Sequence, residues 1–190
     1  MAQDTATMSS LSQLADLLRV RNDIDNRIAA VLDRPASIGH LGEYIAAHVF
    51  DIELAESATN KGHDGRFRSG PLAGRTVNIK WYGKLEYLLD INAQAPADYY
   101  LVLSGPRSRS GTSRGDSRPL IIESVHLFDG QKLLAVLEDR GSKIGTATSV
   151  PKSLWDEAQV YPSRGSNHMV LTTDQCHQLA MFGGQMGVRA

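Results

Sequence analysis

Residues 62–82 read GHDGRFRSGPLAGRTVNIKWY, and the organisation of the chain follows from this stretch. The pattern predicts a hairpin, with His63–Arg68 as first arm, Ser69–Gly74 as turn and Arg75–Tyr82 as second arm. Gly, Ser and Pro in the turn supply the backbone freedom and preset φ that chain reversal needs. Strand periodicity puts Thr76, Asn78 and Lys80 on one face of the second arm, and Val77, Ile79 and Trp81 on the other. Lys80 thus sits inside a strand that otherwise reads as buried, where an ammonium without partners is costly. A polar cleft containing acids is the environment it needs. The 14-residue separation of Asp64 from Asn78 suits an antiparallel pair closed by a six-residue turn.

Upstream, Ser37–Phe50 is predicted to be a helix with an apolar stripe of Ile38, Leu41, Ile45 and Val49. Glu43 lies off that stripe, beside Gly39, Ala46 and Ala47, so another backbone can come close to its carboxylate. Residues 10–33 form an earlier amphipathic helix through Leu11, Leu14, Leu18, Ile24, Ile28 and Val31. Ser10 and Gln13 have capping-box spacing, and Pro35 is the stop. This helix either packs on the domain or pairs with its own copy.

Downstream, Ala97–Leu103 is an apolar run that reads as a strand buried on both faces, and Leu120–Phe128 is a further strand. Asp129 caps a helix over 130–140 with Gly141 at its end. Pro151 starts a short helix to Ala158, and Thr172 with Gln175 caps a last helix ending at Gly183–Gly184. Gly105–Arg118 and Tyr161–Asn167 lack periodicity and read as mobile connectors. The expected fold class is α/β, a mixed β-sheet with helices on both faces. Residues 1–36 are a helical extension and 37–190 the α/β domain.

Composition bounds the function. With 190 residues, 42% apolar and 22% charged, the chain is neither disordered nor fibrous. A single cysteine, Cys176, rules out an intrachain disulfide and a cysteine-based zinc finger. Residues 1–10 lack the apolar core of a secretory signal, and no 18-residue apolar run spans a bilayer. A soluble cytoplasmic protein with no membrane partner is therefore expected. The net charge of −1 conceals a basic middle: residues 61–118 hold ten basic and five acidic side chains, against four and nine in residues 1–60. Such a region can hold a polyanion. Arg107, Arg109, Arg114 and Arg118 concentrate in one loop able to clamp phosphates.

Folding the hairpin beside the preceding helix brings together Glu43, Asp64, Asn78 and Lys80: two carboxylates, an amide and an ammonium. A phosphodiester resists attack because it is already anionic. A hard divalent cation on oxygen ligands neutralises that charge and acidifies a bound water. A neighbouring lysine holds the water or stabilises the transition state.

This set resembles the PD-(D/E)XK nuclease superfamily, the restriction-endonuclease-like fold. The resemblance is carried by Leu41-Gly42-Glu43-Tyr44, Gly62-His63-Asp64-Gly65, Val77-Asn78-Ile79-Lys80 and the strand Ala97–Leu103. It covers residues 40–103, about a third of the chain. It implies an αβββαβ core, Mg²⁺- or Mn²⁺-dependent hydrolysis of DNA by an endonuclease of restriction or repair, and often a homodimer. Asp64 would then be the chief metal ligand, the Ile79 carbonyl a second, Glu43 the helix acid and Lys80 the catalytic lysine. His63 stands where the family has proline, which does no chemistry. Asn78 stands where the family has Glu, Asp or Gln. Its amide oxygen can ligate a cation but brings no negative charge, so the site rests on Asp64 and Glu43 unless Asp90, Glu53 or Glu56 migrates in. The other function class left open is a catalytically weak or inactive member of the fold that binds DNA or a protein partner.

Overall fold

The computed structural model describes residues 2–56, 62–107, 119–162 and 169–184, with side chains from Ser10 onward. The chain divides into two units, residues 1–41 and 42–190.

The first unit is dominated by α1 (Ala2–Leu32). The helix ends where Asp33 takes the left-handed φ of 52°, two residues ahead of the expected proline stop. α2 (Ile38–Phe50) begins in this unit, with the Ser37 hydroxyl accepting from the His40 N–H, and continues into the second.

In the second unit α2 ends at Asp51, again left-handed at φ 53°. Its carboxylate receives Arg68 at 2.8 Å and the Ser69 hydroxyl at 2.5 Å, so the helix terminus is tied to the hairpin turn. Then come β1 (Ile52–Leu54), β2 (Gly65–Phe67), β3 (Thr76–Tyr82) and β4 (Leu88–Leu89). These are followed by β5 (Tyr99–Ser104), β6 (Ser124–Asp129), α3 (Gly130–Asp139) and β7 (Thr148–Ser149). The last elements are α4 (Lys152–Ala158), β8 (Gln159–Tyr161) and α5 (Thr173–Ala180).

Six strands form one mixed sheet in the order β1-β2-β3-β5-β6-β8. The hairpin is as the turn chemistry requires: β2 and β3 are antiparallel with Gly65 opposite Val77, and Gly70–Leu72 makes a 3₁₀ turn between them. β3 and β5 are parallel, Asn78 opposite Tyr100 and Lys80 opposite Val102. β6 returns antiparallel to β5.

Alternation along β3 sorts the two faces. Val77, Ile79 and Trp81 are buried, together with Leu101 and Leu103 of β5. α2 covers this face closely: a Cβ on Gly42 would stand 3.1 Å from Trp81 Cβ and 3.9 Å from Leu103 Cδ1. The opposite face carries Asn78 and Lys80 beside a core of Tyr100, Val102 and Phe128 packed with Leu133 and Leu137 of α3 and Trp155 of α4. The strand read as buried on both faces is so, every residue from Tyr100 to Ser104 being inaccessible.

Two helix caps follow the sequence and one does not: Ser10, the expected cap with Gln13, lies inside α1, which already begins at Ala2. The Asp129 carboxylate accepts from the Lys132 N–H at 2.9 Å, and Thr172 with Gln175 forms a reciprocal capping box. One connection departs from the αβββαβ order, because residues 83–98 contain β4 and turns where that order has a helix. Leu85, Tyr87, Leu89 and Ile91 alternate with period two, which suits a strand and not a helical stripe, and Pro96 has no N–H to donate. β4 instead pairs with β7 as a separate two-stranded ribbon.

Candidate functional site

Asp64 lies immediately before β2, where the hairpin ladder runs out. Its N–H donates to the Val77 carbonyl at 2.9 Å, and Gly65 opposite Val77 is the last regular pair on that side. β2 does not extend to meet Ile79, and the Asp64 side chain takes the strand's place: Oδ2 accepts the Ile79 N–H at 2.6 Å. Within a strand the N–H and C=O of one residue point the same way. The Ile79 carbonyl, the expected second ligand, therefore lies on the same edge as Asp64.

Asp64 collects the electrostatics of the site. Burial pushes its carboxyl above the ordinary aspartate value. The Ile79 N–H and the Lys80 ammonium pull it back, the Glu43 carboxylate pushes it further up, and His63 opposes. Glu43 arrives on α2, which covers one face of the sheet, and Lys80 comes from the other face. Asp64 at the edge feels the charge of both.

Asn78 is held differently. Its Nδ2 donates to the Gly62 carbonyl at 3.4 Å, and its Oδ1 is buried without a hydrogen-bond partner. An orphaned amide oxygen is an acceptor awaiting a donor or a cation. Asn78 and Lys80 line a cleft of about 360 Å³ whose other walls are Asp90, Ile91, Asn92, Gly145 and Thr146.

Of the three acids weighed as replacements for the missing third carboxylate, Asp90 alone borders this cleft. It is fixed there: the Tyr82 hydroxyl accepts the Asp90 N–H at 3.0 Å, and Asp90 Oδ1 accepts the Ala147 N–H at 2.7 Å. Burial pushes the Tyr82 phenol up to about 12, so it remains neutral. Glu53 and Glu56 line a different cleft with His63 and Arg66. Gly145 and Thr146 were not legible as site residues. They come to the cleft through Asp90 and the β4–β7 pairing, a contact nearly sixty positions away in sequence.

Of the basic loop, Arg107 is described. It is exposed, its backbone bridges Leu85, and its guanidinium lies 5.6 Å from the Tyr87 ring centre. The start of the stretch read as mobile is thus anchored on residues 85–87. Arg109, Arg114 and Arg118 lie outside the described residues, as do 163–167 of the second connector.

The expected ligands Asp64, Glu43, the Ile79 carbonyl and Asn78 Oδ1 are all oxygen donors, of the type that would suit Mg²⁺ or Mn²⁺ better than zinc. Among the described residues no group of three or more His, Cys, Asp or Glu could hold a metal ion. A cation here would depend on two carboxylates supplemented by neutral oxygens. No helix among the described residues is long and apolar enough to cross a membrane. In comparisons with known proteins, no family model matches the chain and no curated sequence matches it.

Proposed function

We propose that the chain is a metal-dependent endodeoxyribonuclease of restriction-endonuclease-like fold, acting in the cytoplasm. The observation that carries this reading is the placement of Asp64. Its carboxylate sits at the broken edge of a hairpin, hydrogen-bonded to the Ile79 N–H, and within electrostatic reach of Glu43 and Lys80. The order α2-β1-β2-β3 followed by a parallel β5 supports the fold assignment, with a ribbon segment in place of the crossover helix.

Asp64 Oδ1, Glu43, the Ile79 carbonyl and Asn78 Oδ1 would hold Mg²⁺ or Mn²⁺. The bound cation supplies charge neutralisation of the phosphodiester and a water of lowered pKa. The remaining work belongs to the chain. Lys80 orients the attacking water and offsets charge on the phosphoryl oxygens. The Ile79 N–H keeps Asp64 in one rotamer. Asp64 must be ionised to hold a cation, and because burial and Glu43 raise its pKa, activity should fall at a higher pH than for an exposed aspartate. Arg107 and the basic loop supply phosphate contacts along the duplex.

The test is incubation of the purified protein with supercoiled plasmid and Mg²⁺ or Mn²⁺, beside a Lys80→Ala variant and an EDTA control. Nicking or linearisation that disappears in both controls supports the assignment. Cleavage that survives Lys80→Ala refutes the role of Lys80.

A second reading is favoured by Asn78. With a neutral side chain where an acid is usual and two carboxylates in all, the same fold would bind DNA without cutting it. DNA retention with a steep salt dependence, no cleavage with either metal, and no metal-dependent rise in melting temperature would select this reading.

A further inference from the structure

We propose that the segment Ser142–Ala147 carries a phosphate-binding subsite for a DNA strand, with Lys143 and Thr146 holding the phosphodiester next to the one presented to Lys80. The proposal rests on the reading of the Asn78–Lys80 cleft as a DNA site and gives that site a second wall. Its starting observation is that two clefts share one rim. Gly145 and Thr146 close the cleft of about 360 Å³ that Asn78 and Lys80 line. The same two residues line a neighbouring cleft of about 620 Å³, whose other walls are Ser142, Lys143, Ala147 and Ser149. A ligand chain lying across the rim occupies both.

The rim is held from both ends. α3 hands over to it at Gly141, left-handed at φ 63°, with the Gly141 N–H donating to the Glu138 carbonyl at 2.8 Å and the Ser142 N–H to the Leu137 carbonyl at 2.9 Å. This double closure satisfies the end of the helix. Farther on, the Gly145 carbonyl accepts the Ile91 N–H at 3.0 Å. The Thr148 hydroxyl donates to the Gly145 carbonyl and accepts the Gly145 N–H, each at 2.8 Å. Asp90 accepts the Ala147 N–H at 2.7 Å, and Ala147 stands at a left-handed φ of 53°. Such backbone strain persists where the surroundings over-determine it, and it gathers at ligand sites.

What these bonds leave over is a set of donors. Thr146 lies between the bonded Gly145 and Ala147, and its own N–H and hydroxyl have no partner among the described residues. Lys143 is exposed and makes no ion pair among the described residues. Asn92, on the Lys80 side, commits its Oδ1 to the Gln94 N–H at 3.1 Å, which leaves its NH₂ as a donor. Backbone N–H, hydroxyl, amide and ammonium groups are the donors that phosphate oxygens accept from. The charged residues lining the two clefts are Lys80, Lys143 and Asp90, a positive balance, and Asp90 Oδ1 is already bonded to Ala147. The two ammonium groups lie in different clefts on either side of the rim. One small anion meets one of them, whereas a phosphodiester chain, charged at every nucleotide, meets both.

The experiment measures binding of a fluorescently labelled DNA duplex by the full chain in EDTA, over a series of salt concentrations, so that neither metal nor cleavage enters. Lys143→Ala should lower affinity about tenfold and reduce the slope of log affinity against log salt by about one, the signature of one lost phosphate contact. Lys143→Arg should restore both. Thr146→Ala should lower affinity about threefold at an unchanged slope, because a hydroxyl releases no counterion. Lys152→Ala, on α4 and paired with Asp156, should leave affinity and slope as they are. A parent that binds DNA beside a Lys143→Ala variant that loses no more than Lys152→Ala overturns the subsite and leaves the reading of the cleft standing. A parent that does not bind DNA overturns both. Displacement of the DNA by inorganic phosphate or a nucleoside triphosphate at equal phosphate concentration would identify a small-anion site and overturn the proposal.

Discussion

His126 makes the stability of the α/β unit depend on pH in a calculable way. The residue is 2% exposed on β6, edge-on to Trp155 and stacked with Phe128. Nδ1 lies 3.0 Å from the Trp155 carbonyl, which can only accept, so Nδ1 carries the proton and Nε2 accepts from the Ser124 hydroxyl at 3.0 Å. A second proton on Nε2 would lose that acceptor role inside a core. Burial therefore lowers the His126 pKa from 6.5 to about 4, against the opposing pull of the Trp155 carbonyl and Asp156. The folded value lies below the unfolded one, so between these two pH values the unfolded chain binds more protons and stability rises with pH. The interval from 6.5 to about 4, at about 1.4 kcal/mol per pH unit, makes about 3 kcal/mol lost on acidification. Asp51 and Asp98, both held low, lose their stabilisation only below that window. Asp64, held above the ordinary aspartate value, acts with the opposite sign. A difference measurement isolates the histidine: urea unfolding of the chain and of His126→Gln at steps from pH 7 to pH 4. The variant keeps a donor and an acceptor but does not titrate, and should lose about 3 kcal/mol less than the parent over that range. Parallel curves for the two proteins, or an imidazole resonance titrating near the ordinary value, would refute the reasoning.

Other consequences follow from the same geometry. Asp64→Asn retains an oxygen for the Ile79 N–H and removes a buried charge facing Glu43. It should raise the metal-free melting temperature while abolishing plasmid nicking, and a fall in melting temperature would contradict the electrostatics described for Asp64. Asn78→Glu supplies the missing carboxylate at the buried oxygen position and should tighten Mn²⁺ binding about tenfold by calorimetry. Unchanged affinity would mean that residue 78 is not at the cation. Asp98 accepts from the Thr76 N–H at 2.8 Å and the Thr76 hydroxyl at 2.7 Å where β3 and β5 begin side by side. Asp98→Ala should cost about 2–3 kcal/mol in urea unfolding, the scale of hydrogen bonds to a charged acceptor lost in a part-buried place. A loss within experimental error would show that the parallel pair does not depend on this clamp.

The hairpin, the caps of α3 and α5 and the two-sided burial of β5 were legible because each is written in a local pattern; the Ser10–Gln13 spacing misled, because α1 continues through it to Ala2. Pro and Gly mark the turn, alternation marks β3, and Thr172 with Gln175 marks the start of α5. What was missed is non-local or very short. β1 and β8 are three residues each, too brief for periodicity to separate from loop. The β4–β7 ribbon was readable in part, since Leu85, Tyr87, Leu89 and Ile91 alternate. Its partner around Thr148 offers no pattern, and the contact depends on Asp90 reaching Ala147. The candidate site divides along the same line. Asp64, Asn78 and Lys80 were found because a hairpin register is a sequence property. Gly145 and Thr146 were not, because they reach the cleft through tertiary packing.

The position of Asp90 bears on the choice between the two functional readings. Its Oδ1 accepts the Ala147 N–H and its backbone N–H donates to the Tyr82 hydroxyl, so it is held as a wall of the cleft. Its charge still acts across the space that Asn78 and Lys80 line. A neutral Asn78 then shares the cleft with the Asp90 carboxylate and with a lysine that repels cations. Cation affinity falls on Asp64, whose raised pKa already reflects burial and the nearness of Glu43. Each neighbour that lifts that pKa makes the ionised carboxylate costlier, and that cost is relieved when a cation arrives. Under the nuclease reading that cost is what a bound cation would offset. In a binding module that never took a cation, Asp64 would carry the same cost with the Ile79 hydrogen bond and the Lys80 and His63 charges in return.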